Sequence, residues 1–169
     1  MSSISRRGFI GAAAAMGATI AWAADTKLKT RPWAHTPERF AEGVASGDPD
    51  TNSVLLWTRV SNATDATVPL IVEVAEDQAF ERLIASADTK ALAAADHTCR
   101  VLVANLQPNR IYWYRFIDAD GRGSRIGRTR TAARNGDDVP VRFAFVSCQN
   151  VCEGAQNAYR RMIWEDERA

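Results

Sequence analysis

The amino-acid sequence predicts a mostly β protein, in which an antiparallel β-sandwich is followed by the first strand and helix of an α/β domain. Short β-like runs recur about every 8 to 15 residues, with little helical periodicity between them. A polar stretch, 134–140, then precedes a near-continuous apolar run at 141–147, typical of a strand buried on both faces of a sheet. After a loop, residues 155–168 place apolar side chains at helical spacing.

Residues 1–23 are predicted to be an export signal and not part of the fold. Arg6 and Arg7 precede an uncharged, weakly apolar stretch, 9–24, and small residues near its end predict cleavage after Ala23. The arginine pair resembles the twin-arginine signal of bacterial proteins that are exported already folded. A short buried helix that begins with two arginines is the alternative. We therefore expect a periplasmic or secreted protein that is exported by the twin-arginine translocase.

Composition and charge exclude several classes of protein. The formal charge is +1 with 46% hydrophobic residues, and removing residues 1–23 takes away two arginines and leaves −1. This balance gives no concentrated basic face for nucleic acid, and the apolar content argues against intrinsic disorder. No apolar run reaches the ~18 to 20 residues that span a membrane, so we expect no permanent membrane anchor.

The strands of the sandwich are predicted within residues 24–133. The clearest is SVLLWTRV, which puts Val54, Leu56 and Thr58 on one face. The last run is expected at a sheet edge, because arginines alternate along it. The predicted strands are 40–44, 53–60, 68–75, 81–87, 98–104, 111–117 and 124–131.

One local pattern favours an immunoglobulin/fibronectin III-like β-sandwich. Residues 106–114 (LQPNRIYWY) resemble the corner before the sixth strand of fibronectin type III modules, with a leucine, a proline and a tyrosine in the same order. The hydroxyl of Tyr112 is expected to tie the loop to the strand, with Tyr114 and Phe116 on the same face. An ordinary aromatic-rich strand is the alternative.

The second region offers one candidate for chemistry. In α/β folds, ligands gather beyond the carboxyl ends of the strands, and Cys148 lies one residue past the predicted strand. Its thiolate could bind a metal or act as a nucleophile, with Asn150 and Gln149 beside it. Alternatively, Cys148 is a buried small hydrophobe, or forms a disulfide with Cys152 or Cys99.

Polar side chains elsewhere are predicted to have structural roles, in turns or on the surface. The pair Asp118 and Asp120 could bind a cation, but a hairpin tip is the usual reason for such a pair. We find no glycine-rich phosphate loop, no Ser-His-Asp set and no zinc spacing, and we assign no catalytic residue. The remaining residues in this group are His35, His97, Asp48, Asp50 and 165–167.

Four segments in order resemble the alkaline phosphatase D family, bacterial phosphatases and phosphodiesterases exported by the twin-arginine route. The similarity covers essentially the whole chain, and the first and third segments are the most specific. The segments are FAEGVASGDP at 40–49, VLLWTR at 54–59, FAFVSCQ at 143–149 and GAQNAYRRM at 154–162, the last leading to Glu165 and Asp166.

The resemblance implies a β-sandwich before a four-layer α/β metallophosphatase domain that hydrolyses phosphate esters. The cysteine matching Cys148 is an iron ligand there, and calcium ions complete the site. Such metals polarise the phosphoryl group and activate the attacking oxygen. The other ligands of the family (aspartate, tyrosine, asparagine and histidine) come from segments after the first helix, so this sequence matches only Cys148.

Two interpretations follow from this gap. In the first, the chain is the amino-terminal part of such an enzyme, with residues 141–169 the start of a truncated metallophosphatase domain. On its own it is then expected to hold no metal stably and to have no phosphatase activity. In the second, it is a self-standing secreted β-sandwich with a binding or structural role, and 141–169 is a vestigial tail.

Overall fold

The computed structural model of the chain describes residues 19–23, 28–147, 150, 152, 156–166 and 168. A short 3-10 helix, Ala93–Ala95, and one α-helix, α1 at Asn157–Asp166, lie among them. The strands of the described part are β1 Thr19–Trp22, β2 Ala34–His35, β3 Val44–Gly47, β4 Ser53–Arg59, β5 Thr67–Ala75, β6 Leu83–Leu92, β7 Thr98–Ala104, β8 Ile111–Asp118, β9 Arg122–Gly123 and β10 Gly127–Arg130.

These strands form two sheets, which confirms the predicted mostly β, sandwich-like fold. The first sheet has the order β1-β7-β4-β3 and the second the order β2-β9-β8-β5-β6, with β10 also paired to β8. Neighbours run antiparallel except at two edges, where β1 lies parallel to β7 and β2 parallel to β9. Hairpins and short loops therefore build most of the fold, as the close spacing of the runs predicted.

Period-two alternation produces the core between the sheets. In β4, Val54, Leu56 and Thr58 share one face, as predicted, and the structure buries that face. In β5, alternate residues from Val68 to Val74 are buried in the same cluster. Full burial of each aliphatic side chain stabilises the fold by about 1.5 to 3 kcal/mol, so this alternation dominates the energetics of the sandwich.

The predicted tyrosine corner is present. The Tyr112 hydroxyl accepts a hydrogen bond from the backbone N–H of Gln107 at 2.9 Å and so fastens the loop before β8 to the strand. Tyr114 and Phe116 lie on the same buried face and meet edge to face, with ring centroids 6.4 Å apart. Gly127 lets β10 approach, because a Cβ at this position would be 2.4 Å from the Tyr114 ring.

Three strands differ in extent from their predictions. The run predicted at 40–44 forms a turn, and the strand starts only at Val44, because Phe40 is buried as the anchor of that turn. Strand β6 extends to Leu92 because its backbone pairs with β5 as far as Thr67. In β10, the arginines alternate outward, with Thr129 buried between Arg128 and Arg130.

The chain divides into two compact units between Gly136 and Asp137. In the second unit, α1 forms inside the predicted helix, but the strand predicted at 141–147 is absent. Phe143 and Phe145 are 88% and 93% exposed, and Val141 is also exposed. A strand needs a hydrogen-bonded neighbour, and none of the residues described in this unit supplies one. Within the described ranges, no helix is long and apolar enough to cross a membrane.

Candidate functional site

The residues predicted for chemistry lie at the end of the apolar run, and the structure describes only some of them. Cys148 and Gln149 lie outside the described residues, as do Arg6 and Arg7 of the predicted signal. The Asn150 side-chain oxygen accepts a hydrogen bond from the backbone N–H of Cys152 at 3.0 Å, so it closes a turn. The Cys152 thiol is free and exposed, whereas that of Cys99 is free and buried.

The described residues offer no alternative metal centre. Across those ranges, no group of three or more histidine, cysteine, aspartate or glutamate side chains could hold a metal ion. His35 is exposed beside Trp33, with ring centroids 6.4 Å apart. His97 places Nε2 2.8 Å from the carbonyl oxygen of Asp65. The side chains of the described residues therefore do not form a ligand set that fits iron or calcium.

The aspartate pair after β8 forms a hairpin tip, as predicted. The Asp118 carboxylate accepts hydrogen bonds from the backbone N–H groups of Asp120 and Arg122, both at 3.0 Å. It also pairs with the guanidinium groups of Arg39 and Arg122, at 3.3 and 2.9 Å. Because two guanidinium groups already neutralise this buried carboxylate, it is not arranged to bind a cation.

Asp48 and Asp50 are turn residues, as predicted. Asp48 adopts a left-handed backbone conformation, with φ of 45°, which aspartate tolerates better than most residues. The Asp50 carboxylate accepts a hydrogen bond from the backbone N–H of Thr51 at 2.7 Å. Both side chains therefore shape the loop between β3 and β4.

Two of the family-like segments meet at an exposed cluster of charges. Glu42 belongs to the first segment and Arg59 to the second, and the two form an ion pair. The Ser61 hydroxyl donates to Glu42 at 2.6 Å, and this hydrogen bond, more than the nearby Arg59, lowers the pKa of the carboxyl. Arg59 also pairs with Asp96 at 3.0 Å. The cluster holds the turn before β3 against the end of β4.

Sequence reasoning missed a buried ion pair in the second sheet. The register of β5 and β8 sets Glu73 directly opposite Arg115, and both are buried. The Arg115 Nε and Nη2 atoms donate to Glu73 Oε2 at 2.9 and 2.7 Å. The second carboxylate oxygen accepts from the backbone N–H of Arg31 at 2.8 Å. Every strong acceptor of the carboxylate thus has a donor, as burial of a charge requires.

Aromatic rings cover this ion pair on the outer face of the sheet. The Arg115 guanidinium lies 4.1 Å from the Phe80 ring centroid and 5.0 Å from that of Trp33. Trp33 can lie there because residue 123 is glycine, where a Cβ would be 1.9 Å from the indole ring. Alternation along β5 places Glu73 on the face opposite the core residues Val72 and Val74. The sequence feature that could have indicated this ion pair is one glutamate and one arginine, each inside an apolar run.

The predicted signal-cleavage residue, Ala23, follows β1 directly and is buried. Its backbone N–H donates to the carbonyl oxygen of Ala104 at 2.9 Å. Residues 19–23 therefore form part of the first sheet.

The second unit presents an exposed apolar surface on α1. Tyr159, Ile163 and Trp164 are exposed, and the guanidinium groups of Arg161 and Arg168 lie over the Trp164 ring at 4.3 and 3.7 Å. Glu165 is exposed and pairs with Arg161 one turn earlier, in agreement with the predicted solvated face. A helix with this much exposed apolar surface is typical of one that packs against further structure.

Comparison with known proteins places these features in a family. The family described as PhoD-like phosphatase, N-terminal domain, matches residues 24–133. Alkaline phosphatase D of Bacillus subtilis (strain 168) is 37% identical over an alignment of 134 residues that covers 75% of this chain and 23% of that protein. A solved structure of PhoD aligns with a TM-score of 0.70 and 36% identity over 74% of this chain and 25% of its own. The chain thus spans about a quarter of the length of these relatives.

Proposed function

Because the chain belongs to the PhoD-like phosphatase family, we propose that it supplies the N-terminal sandwich and first catalytic-domain segment of an enzyme that hydrolyses phosphate mono- and diesters. The match of the family's N-terminal domain to residues 24–133 carries this proposal. The linker, the apolar run and Cys148 follow that match in the order of the family's segments. The sandwich serves as a folded unit attached to the catalytic domain through residues 134–140.

Cys148 is the residue of this chain proposed to hold a metal. A thiolate suits iron, and the intact enzyme is proposed to hold iron together with calcium. The remaining ligands are proposed to come from the part of the relatives' length that this chain does not cover. Metal ions in such a site supply charge stabilisation at the phosphoryl group. Export through the twin-arginine translocase to the periplasm or medium suits a metal inserted before export.

Metal analysis and hydrolysis of an aryl phosphodiester test the first part of the proposal. The purified chain is expected to carry no stoichiometric iron and to show no turnover above buffer, because one thiolate cannot hold a metal pair. Clear turnover by this chain alone would show that residues 1–169 are sufficient for hydrolysis. That result would overturn the proposed division of the enzyme.

A chimera tests the role of Cys148 directly. Residues 24–169 replace the matching segment of Bacillus subtilis alkaline phosphatase D, and the product is assayed for iron and for diester hydrolysis. We expect an active, iron-containing chimera in which Cys148→Ser removes both properties. Cys152→Ser is the matched control in the same loop, and it is expected to retain both. Equal activity of the two variants would exclude Cys148 as a ligand.

A further inference from the structure

The segment predicted to end the export signal forms an edge strand of the sandwich. Strand β1 pairs in parallel with β7 from Thr19↔Val101 to Trp22↔Ala104. Ala21 is 1% exposed and Ala23 8%, and both belong to the main core cluster. The two small residues that favour cleavage after Ala23 are thus core residues of the folded chain.

Both backbone polar groups of Ala23 form hydrogen bonds within the protein. Its N–H donates to the Ala104 carbonyl oxygen at 2.9 Å, and its carbonyl oxygen accepts from Asn105 Nδ2 at 2.8 Å. Asn105 is placed for this contact by a left-handed backbone conformation, with φ of 64°. The carbonyl that a peptidase must attack is therefore already hydrogen-bonded within the protein.

A signal peptidase reads small side chains one and three residues before the cleaved bond, and these are Ala23 and Ala21. The peptidase cannot bind Ala21 and Ala23 while they are packed in the core and the strand is paired in the sheet. We propose that the folded sandwich protects this processing site, so that cleavage after Ala23 occurs only when residues 19–23 detach from β7. The rate of processing then follows the fraction of molecules in which β1 is open.

This inference rests on the proposed export signal and adds a control step to it. A protein exported unfolded would present the site freely. A protein exported already folded presents it only through local opening of β1, which requires less free energy than global unfolding. Removal of residues 1–23 then uncovers the edge of β7, so processing changes the first sheet of the mature protein.

The test compares cleavage of the full chain by signal peptidase in detergent micelles with that of a synthetic peptide of residues 1–30. Mass spectrometry gives the rate and the position of cleavage. We expect the peptide to be cut after Ala23, and the folded chain to be cut there at least about tenfold more slowly. Asn105→Gly keeps the left-handed backbone but removes the side-chain amide that donates to the Ala23 carbonyl oxygen. This variant should accelerate cleavage of the chain about fivefold.

Asn109→Gly is the matched control, because Asn109 also has a positive φ, of 54°, but contacts Arg130 instead of β1. It should leave the rate unchanged. A second variant joins Ile20→Cys to Leu102→Cys at positions that face each other in the register. Neighbouring strands lie about 4.8 Å apart, within the Cα separations that disulfides span. The oxidised form should resist cleavage, and reduction should restore it.

The outcomes separate the two proposals. If the peptide is not cut after Ala23, the proposed signal fails, and the protection of this site fails with it. If the peptide and the folded chain are cut at equal rates, or if the oxidised and reduced forms of the double cysteine variant are cut equally, only the protection by β1 is overturned. Equal rates for Asn105→Gly and Asn109→Gly would also contradict it.

Discussion

Strand β8 and the segment 141–147 are similar in their apolar content but differ in structure. Each is a largely apolar run with a single arginine. The backbone of β8 pairs with β5 on one side and with β9 and β10 on the other. Its side chains Tyr112, Tyr114 and Phe116 are buried. Segment 141–147 has no strand partner among the described residues, and its phenylalanines are exposed. Apolar patterning thus indicates what a segment is suited to form, whereas pairing decides whether it forms.

Among the polar contacts of the sandwich, the largest effect is expected when the buried ion pair is broken. Arg115→Ala leaves Glu73 as an uncompensated buried charge, which should lower the free energy of unfolding by about 3 to 5 kcal/mol. Urea denaturation followed by circular dichroism measures the loss. Arg82→Ala is the control, because Arg82 pairs with Glu76 through a side chain that is 70% exposed, and it should cost less than about 1 kcal/mol. Similar losses would mean that Glu73 is not desolvated.

A smaller effect is expected at alkaline pH from the aromatic face of β8. Burial raises the pKa of Tyr114 to about 12. The unfolded chain loses this proton near pH 10 while the folded chain keeps it, so stability should fall as pH rises from about 10 to about 12. The loss from this residue reaches about 2 to 3 kcal/mol.

The Tyr114→Phe variant tests this pH dependence. Without an ionisable group, its free energy of unfolding should decrease less between pH 9 and pH 12 than that of the original chain. Tyr159→Phe, on the exposed surface of α1, should leave the alkaline decrease unchanged. An equal decrease in all three proteins would contradict the burial of the Tyr114 hydroxyl.

The tyrosine corner is expected to contribute less. Tyr112→Phe removes the acceptor of the Gln107 backbone N–H and should reduce the free energy of unfolding by about 1 to 2 kcal/mol. Urea denaturation at neutral pH provides the measurement, again with Tyr159→Phe as the control. A loss no greater than that of the control would show that the corner does not stabilise the loop.

The smallest effect is expected in segment 141–147. Replacing Phe143 and Phe145 together by serine should change the free energy of unfolding of the sandwich by no more than about 0.5 kcal/mol, because both side chains are exposed. By contrast, Phe116→Ala in β8 should cost about 3 to 5 kcal/mol. A large loss from the serine double variant would show that the segment contributes to folding.

The sequence predicted the parts of the fold that depend on local alternation. Val54, Leu56 and Thr58 were correctly placed on one face of a strand, and the Leu-Pro-Tyr order correctly predicted the Tyr112 hydrogen bond. It could not predict the pairing of Glu73 with Arg115, because that depends on the register of two strands 42 residues apart.

The candidate site was less accessible to prediction from sequence. Cys148 was predicted as a candidate because it follows an apolar run, and this position lies outside the described residues. The burial of Ala23 was missed because small residues before a polar segment indicate a cleavage site equally well whether or not they pair in a sheet. A parallel edge pairing such as β1 with β7 leaves no mark in local composition.

Hydrogen exchange followed by mass spectrometry on the full chain tests the central contrast most directly. The amides of β4, β7 and β8 should be protected for hours, because their backbone groups are paired in the sheets. Those of residues 141–147 should exchange as fast as in an unstructured peptide. Protection of 141–147 comparable to that of β8 would contradict the account, since it would mean that this segment already has a strand partner in the chain.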